Sequence, residues 1–127
     1  MNCWLAPYPG KDATSIFGGA PARIFYTDTD LIQPGPSMTF AFIDENANTI
    51  NDGYFAGSPG LPNHWLSIPA ARHGGAGSLS YADGHSEMRR WTDTNVLSLP
   101  ITGGSIASDP NSGDNAWLEQ RESSLIQ

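Results

Sequence analysis

At 127 residues the chain is one domain's worth of sequence, and its charge is lopsided, with 6 basic against 13 acidic side chains and a net charge of −7. That balance excludes a phosphate backbone and an anionic membrane surface as partners, because both demand Lys and Arg. The 14 Gly and 10 Pro exclude an architecture of long helices, while four Trp, four Tyr and five Phe supply enough apolar area to exclude a disordered chain.

Pro7, Pro9, Gly10, Gly18, Gly19 and Pro21 break regular structure over 1–22, which reads as loop. Cys3, the one cysteine, makes no internal disulfide and reads as a small apolar residue. Arg23–Tyr26 is long enough for a short strand, and Asp28–Pro36 is rich in turn residues. Ser37–Ile43 (SMTFAFI) is a clear strand, with Met38, Phe40 and Phe42 on one face and Thr39, Ala41 and Ile43 on the other. Both faces are largely apolar, so a central place in a sheet is expected. A polar loop follows over Asp44–Gly53, and His64–Ile68 reads as another strand.

The strongest local signal is Gly77–Trp91. Asp83-Gly84 lies between two alternating segments and favours a two-residue type I′ turn. In that register Tyr81 faces Ser86 and Leu79 faces Met88. Leu79, Tyr81 and Met88 then line the core, and Ser80, His85, Glu87 and Arg89 line the wet face. Residues 92–113 read as loop with a short strand at Asn95–Leu99. Asp114–Glu122 reads as a short helix capped by Asp114, with Trp117, Leu118 and Arg121 at helical spacing. The pattern predicts one α+β, mainly β, domain over 1–127: a small antiparallel sheet with long loops.

Four segments in order carry a family resemblance. RHGGAGSLSYADGHSEMRRW (Arg72–Trp91) places His73 nine residues before Asp83-Gly84. FIDENANTINDGYF (Phe42–Phe55) is a strand ending in Asp-Glu followed by Asn-Asp-Gly-Tyr. MNCWL opens the chain and WLEQR (Trp117–Arg121) lies near its end. Together they resemble the H-X9-DG prepilin-like proteins, relatives of type II secretion pseudopilins. The resemblance implies a type IV pilin-like head without its long N-terminal membrane helix. It implies other pilin-like subunits or secretion-system components as partners of the full-length form, and a periplasmic or cell-surface location. The present sequence has no run of about 18 apolar residues and no visible signal peptide. It is expected to be a soluble fragment with no membrane partner of its own.

Several groups of residues could carry chemistry. Ser108–Asn115 (SDPNSGDN) offers oxygens from Asp109, Asn111, Ser112 and Asp114 around a flexible Gly113, the donor type that calcium takes. The loop lacks the twelve-residue pattern of an EF-hand. It is similar to the C-terminal calcium loop of major pseudopilins, so calcium is the expected cofactor; an ordinary Asx-rich turn is the alternative. Asp44-Glu45-Asn46 with Asn51-Asp52-Gly53, and Asp28-Thr29-Asp30, are weaker oxygen clusters.

His64, His73 and His85 could form part of a metal-assisted hydrolase of small esters or lactones, with His73 or His85 as base. No H-x-H or H-E-x-x-H spacing supports this, and Ser78, Ser80 and Ser86 have no nucleophile elbow around them. His73 is expected instead to pack beside the hairpin and bond loop backbone. A binding module would need exposed Trp4, Trp65, Trp91 or Trp117 as a stacking platform. The expected function is therefore a non-catalytic structural or interaction domain, stabilised by calcium.

Overall fold

A computed structural model describes residues 1–5, 22–57, 59–60, 63–98 and 106–126. The loops expected at 6–21 and 99–105 lie outside the described residues. The described chain holds five short strands: β1 Phe40–Ile43, β2 His64–Trp65, β3 Ala76–Tyr81, β4 Ser86–Arg90 and β5 Ile106–Ala107. Two short helices join them, α1 Thr94–Leu97 and α2 Asp114–Glu119. All pairings between these strands are antiparallel, β1-β3-β4 in one sheet and β2-β5 in the other, so the α+β architecture with long loops stands.

The hairpin forms where Asp83-Gly84 predicts it, but in a different register. Ser80 faces Ser86, Leu79 faces Glu87 and Ser78 faces Met88. The Gly84 amide donates to Tyr81 O (3.0 Å), the Tyr81 amide donates to His85 O (2.9 Å), and Gly84 has φ 93°. This is a three-residue loop over Ala82–Gly84, a β-turn followed by a left-handed glycine, in place of the two-residue type I′ turn. One residue of slip exchanges the faces of a whole strand. Met88, expected in the core, is 57% exposed, and Arg89 moves to the face of Leu79 and Tyr81.

β1 also departs from expectation. It starts at Phe40 rather than Ser37 and lies at an edge, with β3 in the centre. A bulge between Phe40 and Phe42 breaks the alternation: Phe40 pairs with Tyr81 and is fully buried, whereas Phe42 pairs with Ser80 and is 60% exposed. The outer edge of β1 is covered rather than open. The Asn2 amide donates to Ala41 O (2.9 Å), and the Phe40 amide donates to Arg121 O (3.0 Å).

Arg23–Tyr26 forms no strand. The strand expected from Asn95 is instead α1, because the buried Asp93 carboxylate accepts from the amides of Asn95 and Val96 and caps a helical turn. Asp114 is the first residue of α2, not its cap; Gly113, at φ 69°, holds that position. The main core gathers Phe40, Phe55, Trp65, Ile68, Leu79, Tyr81, Trp91, Val96 and Leu118, and a smaller cluster holds Cys3, Trp4, Ala22, Ile24 and Phe25. No helix among the described residues is long and apolar enough to cross a membrane.

Candidate functional site

The 109–115 segment is organised around two buried aspartates. Asp93 Oδ1 accepts from the amides of Asn95 (2.9 Å) and Val96 (3.2 Å), and its Oδ2 accepts from Trp65 Nε1 (2.9 Å) and the Asp109 amide (2.9 Å). Asp114, also fully buried, accepts at Oδ1 from the Arg89 guanidinium (2.8 Å). Its Oδ2 accepts from the Thr92 amide (2.5 Å), the Asp93 amide (2.8 Å) and the Thr92 hydroxyl (3.1 Å). Buried carboxylates persist when their lone pairs are met in this way. The chain supplies those donors because β4 ends at Arg90 and runs directly into the 92–93 amides beside α2.

Of the four residues expected to hold calcium, Asp114 thus spends its carboxylate on Arg89 and the 92–93 backbone. Asp109 is more open. Its Oδ1 accepts from the Asn111 amide (2.9 Å) and its Oδ2 from the Thr94 hydroxyl (2.9 Å), and these donors hold its carboxyl below the usual carboxylate range. Ser112 Oγ donates to Asp109 O (3.1 Å) and accepts from the Asp114 amide (3.2 Å). The loop is an Asx-type turn clamped by internal donors. Asp109 faces a cavity of ≈ 160 Å³ shared with Asn63, Ser108, Asn115 and Glu119. Among the described residues no group of three or more His, Cys, Asp or Glu gathers as a metal cluster.

The structure does not bring the histidines together. His73 sits before β3 and His85 after its far end, so six residues of strand separate them, roughly 20 Å at about 3.3 Å per residue. His73 is exposed, and it is its backbone amide, not its ring, that bonds Ala76 O (3.2 Å). His85 stacks on Tyr81 with centroids 4.2 Å apart, and its Nδ1 lies 2.5 Å from Asp83 Oδ1. The Tyr81 hydroxyl donates to Glu87; burial first, then this bond, raises its pKa. His64 belongs to β2, in the two-stranded sheet. Ser78 donates to Asp44 Oδ2 (2.7 Å) and has no histidine partner.

The remaining oxygen clusters close local turns. Asp30 accepts from the amides of Tyr26 and Thr27, both 2.9 Å away, and Glu45 accepts from the Thr49 hydroxyl (2.9 Å). No tryptophan platform is exposed. Trp4, Trp65 and Trp91 are buried, and Trp117 lies beneath the guanidinium groups of Arg89 (4.4 Å) and Arg121 (3.9 Å).

Comparison of the chain with family models, with curated proteins and with solved structures gave no match in any of the three.

Two residues that the sequence did not single out as a site are chemically unusual. Glu122 is fully buried, and neither carboxylate oxygen has a hydrogen-bond partner; Glu119 Oε1 is buried and unpartnered as well. Burial, then the neighbouring Glu119 charge, pushes Glu122 well above the carboxylate range, and burial pushes Glu119 up to about 7. Glu122 lies against Gly57, where an added Cβ would stand 1.7 Å from Oε2. Glu119 also lines an open cleft of ≈ 470 Å³ with Gln33, Met38, Gln120 and Leu125. It is the only ionisable side chain among the described residues that line the cleft.

Proposed function

We propose that the chain is a non-catalytic interaction domain, the head of a pilin- or pseudopilin-like subunit, and that the outer face of the β1-β3-β4 sheet is its contact surface. The observation that carries the reading is this face: Phe42 and Met88 stand 60% and 57% exposed, with Ser78, Ser80 and Ser86 between and beside them. Large apolar side chains on one sheet face, with small hydroxyl residues as the floor, suit burial against another subunit. The separated histidines favour this role over a metal-assisted hydrolase acting through His73 and His85.

Calcium on Asp109, Asn111, Ser112 and Asp114 belongs to the same proposal and carries a defined cost. An ion bound to Asp114 would replace the Arg89 guanidinium and two backbone amides as its partners. An ion held chiefly by Asp109 would leave them in place. Calcium bound there would stabilise the folded state by mass action, so a chelator would lower the melting temperature.

A photo-crosslinking residue at position 42 or 88, introduced in the native cell, tests the contact surface. It should trap a pilin-like subunit or secretion component, whereas the same residue at exposed Asn51 should not. Equal trapping from all three positions, or steady turnover of an ester panel that is lost in His85→Ala with the fold intact, would overturn the proposal.

A further inference from the structure

We infer that Glu119 and Glu122 form a binding site for a hard divalent cation of the calcium type, entered from the cleft beside α2 and closed on its inner side by Gly57. This site lies inward of the 109–115 loop, with which it shares Asn115 at its wall, uses neither Asp109 nor Asp114, and does not depend on the pilin-type reading. The turn that follows α2, in which the Glu122 amide donates to Glu119 O (3.2 Å), places both side chains on one side of the chain. Both line a small cavity of ≈ 10 Å³, walled also by Gly57, His64, Trp65, Ser67 and Asn115. That is room for one water-sized guest.

The guest has to be positive or a proton donor, because the unmet polar groups lining the cavity among the described residues are carboxylate oxygens. Both Glu122 oxygens and Glu119 Oε1 have no partner, although an unmet buried carboxylate costs several kcal/mol. Among the described residues no basic side chain acts on Glu122; the charge that reaches it is that of Glu119, of the same sign. Two carboxylates with oxygen-bearing Ser67 and Asn115 in the same wall form a hard donor set. The nearby thiol does not change that choice. Burial, then the Glu122 charge, pushes the Cys3 thiol up, which keeps it a thiol rather than a thiolate ligand. The volume also favours calcium over magnesium, because magnesium keeps several of its waters and the cavity has no space for them.

The access route is visible. Glu119 lies at once in the tight cavity, in the ≈ 470 Å³ cleft and in the ≈ 160 Å³ cavity facing Asp109. An ion therefore meets the half-buried Glu119 first and passes inward to Glu122. Gly57 is fixed by the same arrangement, since a side chain at that position would occupy the space of the Glu122 carboxylate.

Thermal melts of the chain at pH 8, with calcium chloride or with chelator, test this in wild type, Glu122→Gln and Asp109→Asn. At a hundredfold excess over Kd the wild-type melting temperature should rise by roughly 5 °C or more. The rise should vanish in Glu122→Gln and persist in Asp109→Asn. Terbium, used as a calcium stand-in, should give luminescence sensitised by Trp65 in wild type and lose it in Glu119→Gln, which covers the case in which Glu122→Gln does not fold. No calcium shift in wild type, or an equal shift in wild type and Glu122→Gln, would overturn the inference. A rise lost only in Asp109→Asn would assign the ion to the 109–115 loop and overturn it too. The crosslinking result is decided separately from all of these outcomes.

Discussion

The molecule buries acids in two regions and treats them in opposite ways. Around α1 and the start of α2, Asp93 and Asp114 are fully buried, and each oxygen accepts at least one hydrogen bond from a backbone amide, an indole or the Arg89 guanidinium. Just past the end of α2, Glu122 is equally buried, yet neither of its oxygens accepts a hydrogen bond, and Glu119 adds a second charge of the same sign. In the first region every carboxylate oxygen is met as folded, and the pair serves as an internal staple. The second is stable only with a proton or a cation in place. Burial of charge is therefore not a functional signal by itself; the informative quantity is whether donors meet it.

Removing one aspartate from the complete region should have the largest effect on stability. Asp114→Ala leaves the Arg89 guanidinium and the Thr92 and Asp93 amides without their acceptor and should cost about 3–5 kcal/mol by urea denaturation. A cost under about 1 kcal/mol would dissolve the contrast between the two regions.

The next effect sharpens the second region. Gly57→Ala should destabilise the wild type by about 2 kcal/mol, because its Cβ meets the Glu122 carboxylate, and should cost much less in a Glu122→Ala background where that space is empty. Additive costs in this double-mutant cycle would show that the two residues do not touch. The smallest effect concerns the hairpin. Gly84→Ala should cost about 1 kcal/mol, since φ 93° suits glycine, while Asp83→Ala should cost less.

What the sequence revealed follows from how local each signal is. Asp83-Gly84 marks the hairpin, because the turn needs its own residues and little else. It does not distinguish a two-residue loop from a three-residue one, and that single residue decides whether Met88 or Arg89 faces inward. The Arg89–Asp114 pair was hidden behind this choice. Alternation alone puts Phe40 and Phe42 on one face, and the bulge that separates them has no clear sequence mark. The oxygens of the 109–115 loop were legible, but the donors that occupy them come from positions 89, 92, 93 and 94, which only the fold brings near. Glu122 left no trace at all in the sequence. Its carboxylate lies against Gly57, far away in sequence, and its backbone is held by the Asn2 side-chain amide, which bridges Phe40 O (2.9 Å) and Glu122 O (3.0 Å).

The contrast is tested most directly by urea denaturation as a function of pH, in chelator, for wild type and Glu122→Gln. Below pH 4.5, the ordinary carboxyl value, folded and unfolded chains both hold the Glu122 and Glu119 protons. As pH rises from there, the unfolded chain releases them first, because burial raises both groups in the folded state. Wild-type stability should therefore fall from pH 4.5 up to about pH 7 and beyond, with no such loss from position 122 in the variant. At pH 8 Glu122→Gln should be the more stable protein by roughly 1–3 kcal/mol. A wild-type profile that is flat across this range, with the Gln variant less stable at pH 8, would contradict the account.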